Sequence, residues 1–315
     1  MTRLLINDVA PRDGFQNEKS FIASAQKIAL IDALSTTGLA KIEATSFVSP
    51  KAIPALADAA EVMQGITRVP GVTYTVLVPN VRGGERALAA RADEFNLVMS
   101  ASESHNLSNL RMTREQSLAA LGDVMALAAN AGVPVNASLS VAFGCPMQGD
   151  VGIDEVLRWA GALLERGARG VTLCDTTGMA YPTQVAALTE AFLRRFPRVE
   201  LTLHFHDTRG MALANVMAGV AAGATRFDAS LGGLGGCPYA PGASGNACLE
   251  DMVQMLELCG HDTGVDLPRL IECARTLPAL VGHDIASQAA KAGRRLELHP
   301  LPKDFAQIRE RALAR

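Results

Sequence analysis

Short apolar, β-branched runs alternate along this chain with stretches of helical period, and the alternation repeats eight times. The runs predict strands at 3–10 (RLLINDVA), 41–48 (KIEATSFV), 72–79 (VTYTVLVP) and 94–100 (EFNLVMS). Four more follow at 134–143 (PVNASLSVAF), 170–175 (GVTLCD), 199–206 (VELTLHFH) and 226–231 (RFDASL). Between them, helices are expected at 24–37, 53–65, 113–130, 153–166, 182–196 and 211–222. Glycine-bearing turns such as TTG, NAG, RGA and AAG precede the next strand, where a helix C-terminus favours glycine. Eight strand–helix units with near-continuous apolar strands predict a parallel sheet closed into a (β/α)₈ barrel. An open doubly wound sheet would place a G-x-G-x-x-G after its first strand, and APRDGFQNE stands there instead. The expected division is a catalytic barrel over 1–262 and a helical C-terminal extension, packed on it, over 263–315.

Composition narrows the class. The 315 residues are 49% hydrophobic and 19% charged with a net charge of −3, which excludes a nucleic-acid footprint. KAGRR at 291–295 is the one basic knot and reads as a solvated face. No apolar run is long enough for a membrane span. The six cysteines show no C-x-x-C pair and read as reduced thiols of a cytoplasmic protein. Cys259 and Cys273 are expected to be buried among apolar neighbours, and Trp159 to serve helix packing. The strand-like start leaves no room for a targeting peptide.

Barrel chemistry belongs at the C-terminal ends of the strands, and polar residues gather there. The first strand ends in Asp8, followed by Arg12 and Asp13; the second carries Glu43, Thr45 and Ser46. The sixth ends in Asp175 and the seventh in His204-Phe205-His206-Asp207. After the eighth comes GGLGGCPYAPGASGN (232–246), with one thiol, Cys237, and Asn246. His204 and His206 are two apart on a strand and face the same side. With Asp13 and the Asn246 amide oxygen they form a nitrogen–oxygen set suited to Mg²⁺ or Mn²⁺ rather than structural zinc. Taken alone, H-x-H equally describes two hydrogen-bonded histidines at a barrel mouth. Arg12 reads as a fixed cation for an oxyanion, with Glu43 holding it in place. Asp175 and Asn246 could instead be helix N-caps, and Cys237 could sit in a loop that merely turns the chain. As a thiol on a glycine-rich loop, Cys237 is placed to deliver a proton on loop closure.

Nearly the whole chain resembles the hydroxymethylglutaryl-CoA lyases, within the metal-dependent barrel group that includes isopropylmalate and homocitrate synthases. The resemblance rests on APRDGFQNE (10–18), IEATSFVSPK (42–51), FGCP (143–146), HFHDTRGMALAN (204–215) and GLGGCPYAPGASGNACLEDMV (233–253). The last favours lyase over synthase, as does an extension too short for a synthase's regulatory domain. The resemblance implies a homodimer acting on an acyl-CoA, with Asp13, His204, His206 and Asn246 holding the divalent ion. It implies Asp13 or His204 as base, Arg12 stabilising an enolate and Cys237 protonating it. Arg12, Ser46, Asn136, Ser138 and Asp175 would line the substrate. One stretch departs. The family's fifth strand commonly reads R-G-Y-V-S-C-A-L-G-C-P, and Asn136 and Ser138 stand where its arginine and tyrosine would be. A wider, less cationic acyl pocket is expected, open to citramalyl-CoA or another 3-hydroxy-3-methyl acyl-CoA. The reverse condensation, and a barrel serving only as a binding partner, are the competing readings.

Overall fold

The computed structural model describes residues 3–236 and 245–314. Eight parallel strands close into a barrel in sequence order: β1 (Leu5–Asp8), β2 (Lys41–Ser46), β3 (Thr73–Leu77), β4 (Glu94–Ser100), β5 (Val135–Ser140), β6 (Gly170–Asp175), β7 (Glu200–Phe205) and β8 (Arg226–Ala229). Closure is the β1–β8 pairing, with Leu5 opposite Arg226 and Asp8 opposite Ala229. Around it run α1 (Ser24–Ser35), α2 (Ala59–Gly65), α3 (Val81–Ala89), α4 (Glu103–Leu110), α5 (Arg114–Asn130), α6 (Ile153–Glu165), α7 (Pro182–Arg195) and α8 (Ala212–Ala221). α9 (Leu249–Leu258), α10 (Leu267–Val281), α11 (Gln288–Ala292) and α12 (Phe305–Leu313) follow. α10 buries seven side chains, including Leu270, Ile271 and Leu277, whereas α12 buries none. Among the described residues no helix is long and apolar enough to cross a membrane.

The strands alternate more sharply than their apolar look suggests. Ile42, Tyr74, Phe95, Ala137, Val171, Leu201 and Phe227 are buried under the helices. Their neighbours Asn7, Lys41, Glu43, Thr75, Asn96, Thr172, Thr202 and Asp228 line a polar space inside the barrel. Period-two alternation puts the two sets on opposite faces. The interior is thus a hydrogen-bonded floor for the mouth above it. α5 shows how a helix packs outside. Thr113 and Gln116 cap its start reciprocally, at 3.1 and 2.9 Å. Its inner face buries Leu121, Val124, Met125 and Ala128. A fully buried aliphatic of this size stabilises by about 1.5–3 kcal/mol.

Several expectations are adjusted. The fifth strand stops at Ser140 because Val141 takes a left-handed backbone, φ 53°, costly for a β-branched residue. The helix expected from 53 begins at Ala59, after a 3₁₀ turn over Pro54–Leu56. Cys259 is exposed, because it falls just past the end of α9, while Cys273 is buried inside α10. Trp159 is buried as helix packing, its indole donating to Glu155 Oε1 at 3.0 Å.

Candidate active site

At the end of β1 the chain tightens into a single π-helical turn, Ala10–Gly14. The amides of Arg12, Asp13 and Gly14 all point at the Val9 carbonyl, at 3.2, 2.7 and 3.3 Å. Such turns are frequent at functional sites because they re-aim side chains. Here the turn aims Arg12 and Asp13 into the barrel mouth. Arg12 Nε donates to Glu43 Oε2 and its Nη1 to Asp13 Oδ1, both at 2.6 Å. Gln16 also donates to Asp13 Oδ1, at 2.7 Å. Among the described residues Arg12 Nη2 makes no hydrogen bond, which leaves one donor edge for a ligand. Burial works against the Arg12 charge, but Glu43 and then Asp13 outweigh it and its pKa rises. Burial pushes the Glu43 carboxyl up while Arg12 and Asn96 pull it back.

Asn246 reaches the same place by a backbone ladder. Ala247 N donates to Phe205 O and Asp207 N to Gly245 O, each at 2.9 Å, so His206 and Asn246 lie side by side. The helix after it begins only at Leu249, with Cys248 at the cap position, so Asn246 is not an N-cap. Its Nδ2 donates to Asp13 Oδ2 at 2.7 Å and to Leu234 O at 2.9 Å. Among the described residues, its Oδ1 is buried without a partner, as is Nδ1 of His206.

Asp13, His204 and His206 each offer a ligand atom within 4.8 Å of the others, all three buried. Burial would raise the Asp13 pKa, but Arg12, His206, His204 and Asn246 together bring it to about 2. His206 falls to about 4, through burial and then the neighbouring His204. Metal donors must be unprotonated, and an ionised carboxylate beside a neutral imidazole meets that need. The orphaned Asn246 Oδ1 beside this group lacks a partner that a hard cation would provide. The donor set therefore fits a divalent ion.

The remaining predicted residues surround this group. Asp175 accepts the amides of Met179 and Ala180 at 2.6 and 3.1 Å, capping a turn rather than α7. Among the described residues its Oδ2 is unpartnered, and burial lifts its pKa to about 6. Ser46 Oγ accepts Val48 N at 3.2 Å. Asn136 and Ser138 turn their polar atoms to Asn96. Cys237 lies outside the described residues. Burial pushes the Cys174 and Cys248 thiols well up, and Cys273 to about 11, so these three are not poised to act as thiolates.

Three residues carry weight that the sequence did not reveal. Asp228 of β8 stands opposite His204 in register and faces its Nδ1 at 3.4 Å. Burial opposes charge on His204, but Asp228 and Asp13 raise its pKa on balance. The alternation of RFDASL signals an inward Asp228. Asn96 sits behind Glu43, and His105 of α4 is buried against Ser100 Oγ at 2.7 Å.

A closed parallel barrel with a fixed cation and an Asp–His–His group able to hold a metal ion at its mouth has the architecture of a TIM-barrel enzyme. The HMGL-like family model matches residues 3–277, and the chain belongs to that family. It is 49% identical to hydroxymethylglutaryl-CoA lyase of Bacillus subtilis over 91% of this chain and 96% of that protein. It is 42% identical to the mitochondrial hydroxymethylglutaryl-CoA lyase of Gallus gallus over 93% and 99%. An HMG-CoA lyase from Acinetobacter baumannii, solved with coenzyme A and 3-methylmalate, superposes with a TM-score of 0.91. It is 49% identical, with 96% of this chain and 100% of that one covered. Like these relatives, this protein is a carbon–carbon lyase.

Proposed function

We propose that the protein cleaves 3-hydroxy-3-methylglutaryl-CoA to acetyl-CoA and acetoacetate with the aid of Mg²⁺ or Mn²⁺. The observation that carries this is the meeting of the Arg12–Glu43 pair with the Asp13–His204–His206 group at one barrel mouth. Asp13, His204, His206 and the Asn246 oxygen would hold the ion. The chemistry a divalent ion supplies in such a site is acidification of a bound hydroxyl and polarisation of a carbonyl.

The residues then divide the work. Asp13 and His204 are the two groups at hand to take the C3 hydroxyl proton. The electron pair of that O–H forms the new C3 carbonyl, and the C2–C3 bond breaks. Its electrons pass to the thioester as an enolate, whose oxygen Arg12 stabilises through its free edge. Cys237 returns a proton to C2, giving acetyl-CoA. Ser46 and Asp175 line the acyl pocket, with Asn136 and Ser138 as a short, neutral wall.

That neutral wall favours a second reading, in which citramalyl-CoA is cleaved to acetyl-CoA and pyruvate by the same steps. Purified protein with Mg²⁺ and each thioester in turn, followed by release of acetyl-CoA and the keto acid, tests both. Turnover of hydroxymethylglutaryl-CoA is expected. Turnover of citramalyl-CoA alone would move the substrate and keep the mechanism. We further propose a cytoplasmic homodimer. The free thiols and the exposed apolar Phe305, Ile308 and Leu313 on α12 support it. Light scattering of the eluted protein and cell fractionation test these two points.

A further inference from the structure

Beneath Arg12 four strands meet in a hydrogen-bonded chain centred on Asn96 of β4. Asn96 Nδ2 donates to Glu43 Oε1 at 2.8 Å, while Glu43 Oε2 accepts from Arg12 Nε at 2.6 Å. On its other side Asn96 Oδ1 accepts from Ser138 Oγ at 2.8 Å and Asn136 Nδ2 at 3.1 Å. Asn136 Nδ2 donates as well to Thr172 Oγ1, at 2.9 Å. Asn96, Asn136 and Ser138 are each under a tenth exposed. Gly170 stands opposite Asn136 in register, and a Cβ there would come within 3.0 Å of Asn136 Oδ1. The absence of a side chain at 170 makes room for the Asn136 amide.

The chain has a direction. An ionised Glu43 only accepts, so Asn96 must turn its NH₂ toward it. Its carbonyl oxygen then faces β5, where a hydroxyl and an amide both donate. The amide is locked at both ends, and buried networks satisfied in this way are rigid. Free rotation of Glu43 would let the Arg12 guanidinium swing, since Glu43 holds its Nε. We infer that Asn96 is a positioning residue that aims Arg12 through Glu43, and that Asn136 and Ser138 hold Asn96 for that purpose. The two residues that depart from the family's arginine and tyrosine thereby reach the reaction indirectly. The inference rests on the lyase reading for its effect on turnover, but not for its structural part.

The test uses the full-length protein carrying Asn96→Asp or Ser138→Ala. Asn96→Asp keeps the shape but sets a second carboxyl group against Glu43, so that a lost donor or a shared proton weakens the hold of Glu43 on Arg12. Misplacing a group near the chemistry by about 1 Å can cost roughly 100-fold. The kcat of Asn96→Asp is expected to fall by about that factor at pH 8. KM and Mn²⁺ affinity are expected to stay within about threefold, because substrate and ion contacts are untouched. Independently of activity, the ¹H–¹⁵N resonance of Arg12 Nε–H, assigned with Arg12→Lys, should move in the metal-free protein. Unchanged kcat, or a fall in kcat with that resonance unmoved, overturns the proposal. If Asn96→Asp does not fold, Ser138→Ala decides. It is expected to shift the same resonance and lower kcat about fivefold, and no change in either overturns the proposal. A wild-type protein inactive on both thioesters would remove the lyase reading, while the resonance still reads the positioning chain.

Discussion

Asp228 Oδ2 faces His204 Nδ1 at 3.4 Å, and its other oxygen accepts from Asn7 Nδ2 at 2.8 Å. The carboxylate is therefore itself oriented, and by engaging Nδ1 it leaves Nε2 as the nitrogen open to a cation. Carboxylates behind metal-bound imidazoles fix the tautomer, and their loss costs about 10–100-fold in affinity. Asp228→Asn should weaken Mn²⁺ binding by that factor, as read by calorimetry, with the thermal midpoint little changed. An unchanged affinity would show that His204 needs no such support.

Replacing Cys237 with Ala should reduce turnover strongly, on the order of 10²–10⁴-fold for a lost proton donor. Metal affinity should stay near that of the wild type, because no ligand is removed. Steady-state kinetics paired with Mn²⁺ titration separates the two effects. Wild-type turnover in the variant would remove the thiol from the mechanism.

Asp8 gives a pH signature. Its Oδ1 accepts the Leu231 and Ala10 amides at 2.9 and 3.2 Å, its Oδ2 is buried without a partner among the described residues, and burial lifts its pKa to about 7. The folded state thus holds this proton more tightly than the unfolded chain, whose carboxyl sits near 3.8. The stabilisation from that proton is complete below the unfolded value and is lost as pH rises through about 7. Between pH 5 and 8 the loss is roughly 2–3 kcal/mol. Asp8→Asn should be flatter over that range by this amount in urea titrations. Parallel curves for the two proteins would refute the assignment.

Gly235 has φ +107°, and a Cβ there would lie 2.4 Å from Asn246 Nδ2 and 3.1 Å from Asp13 Oδ2. Gly235→Ala therefore strains the backbone, by about 1–3 kcal/mol, and pushes on two proposed ligands. The expected outcome is weaker metal binding with the barrel still folded by circular dichroism. Retained affinity would mean that the Asn246–Asp13 pair yields without consequence.

The barrel was legible because each strand is short, apolar and followed by a helix of clear period. β4 and β6 fall on their predicted limits, 94–100 and 170–175, where apolar runs end abruptly in Ser100 and Asp175. Arg12, Asp13 and the two histidines were legible because they lie at the ends of those runs, and Glu43 because it interrupts one. What stayed hidden depends on distant pairing. Asn246 was open to reading as a helix cap because its tie to β7 spans some forty residues of sequence and is made by backbone. Asp228 and Asn96 look like ordinary polar breaks in apolar strands until the register sets them beside His204 and Glu43. Cys259 reads as core because its neighbours are apolar, but it sits one residue beyond the last turn of α9.

The two flanks of the glycine-rich segment are anchored separately. Asp8 and Glu250 hold the amides of Leu231 and Gly232, and the ladder to β7 holds Gly245 and Ala247. Asn246 accordingly belongs to the barrel wall and not to the stretch that carries the thiol. Leu234 and Gly235 touch Asn246 and must be kept, but exchanging residues 237–244 removes none of the contacts described for the cation site. If Cys237 returns the proton as proposed, a designer could retune that step while leaving Arg12 and the Asp–His–His group untouched.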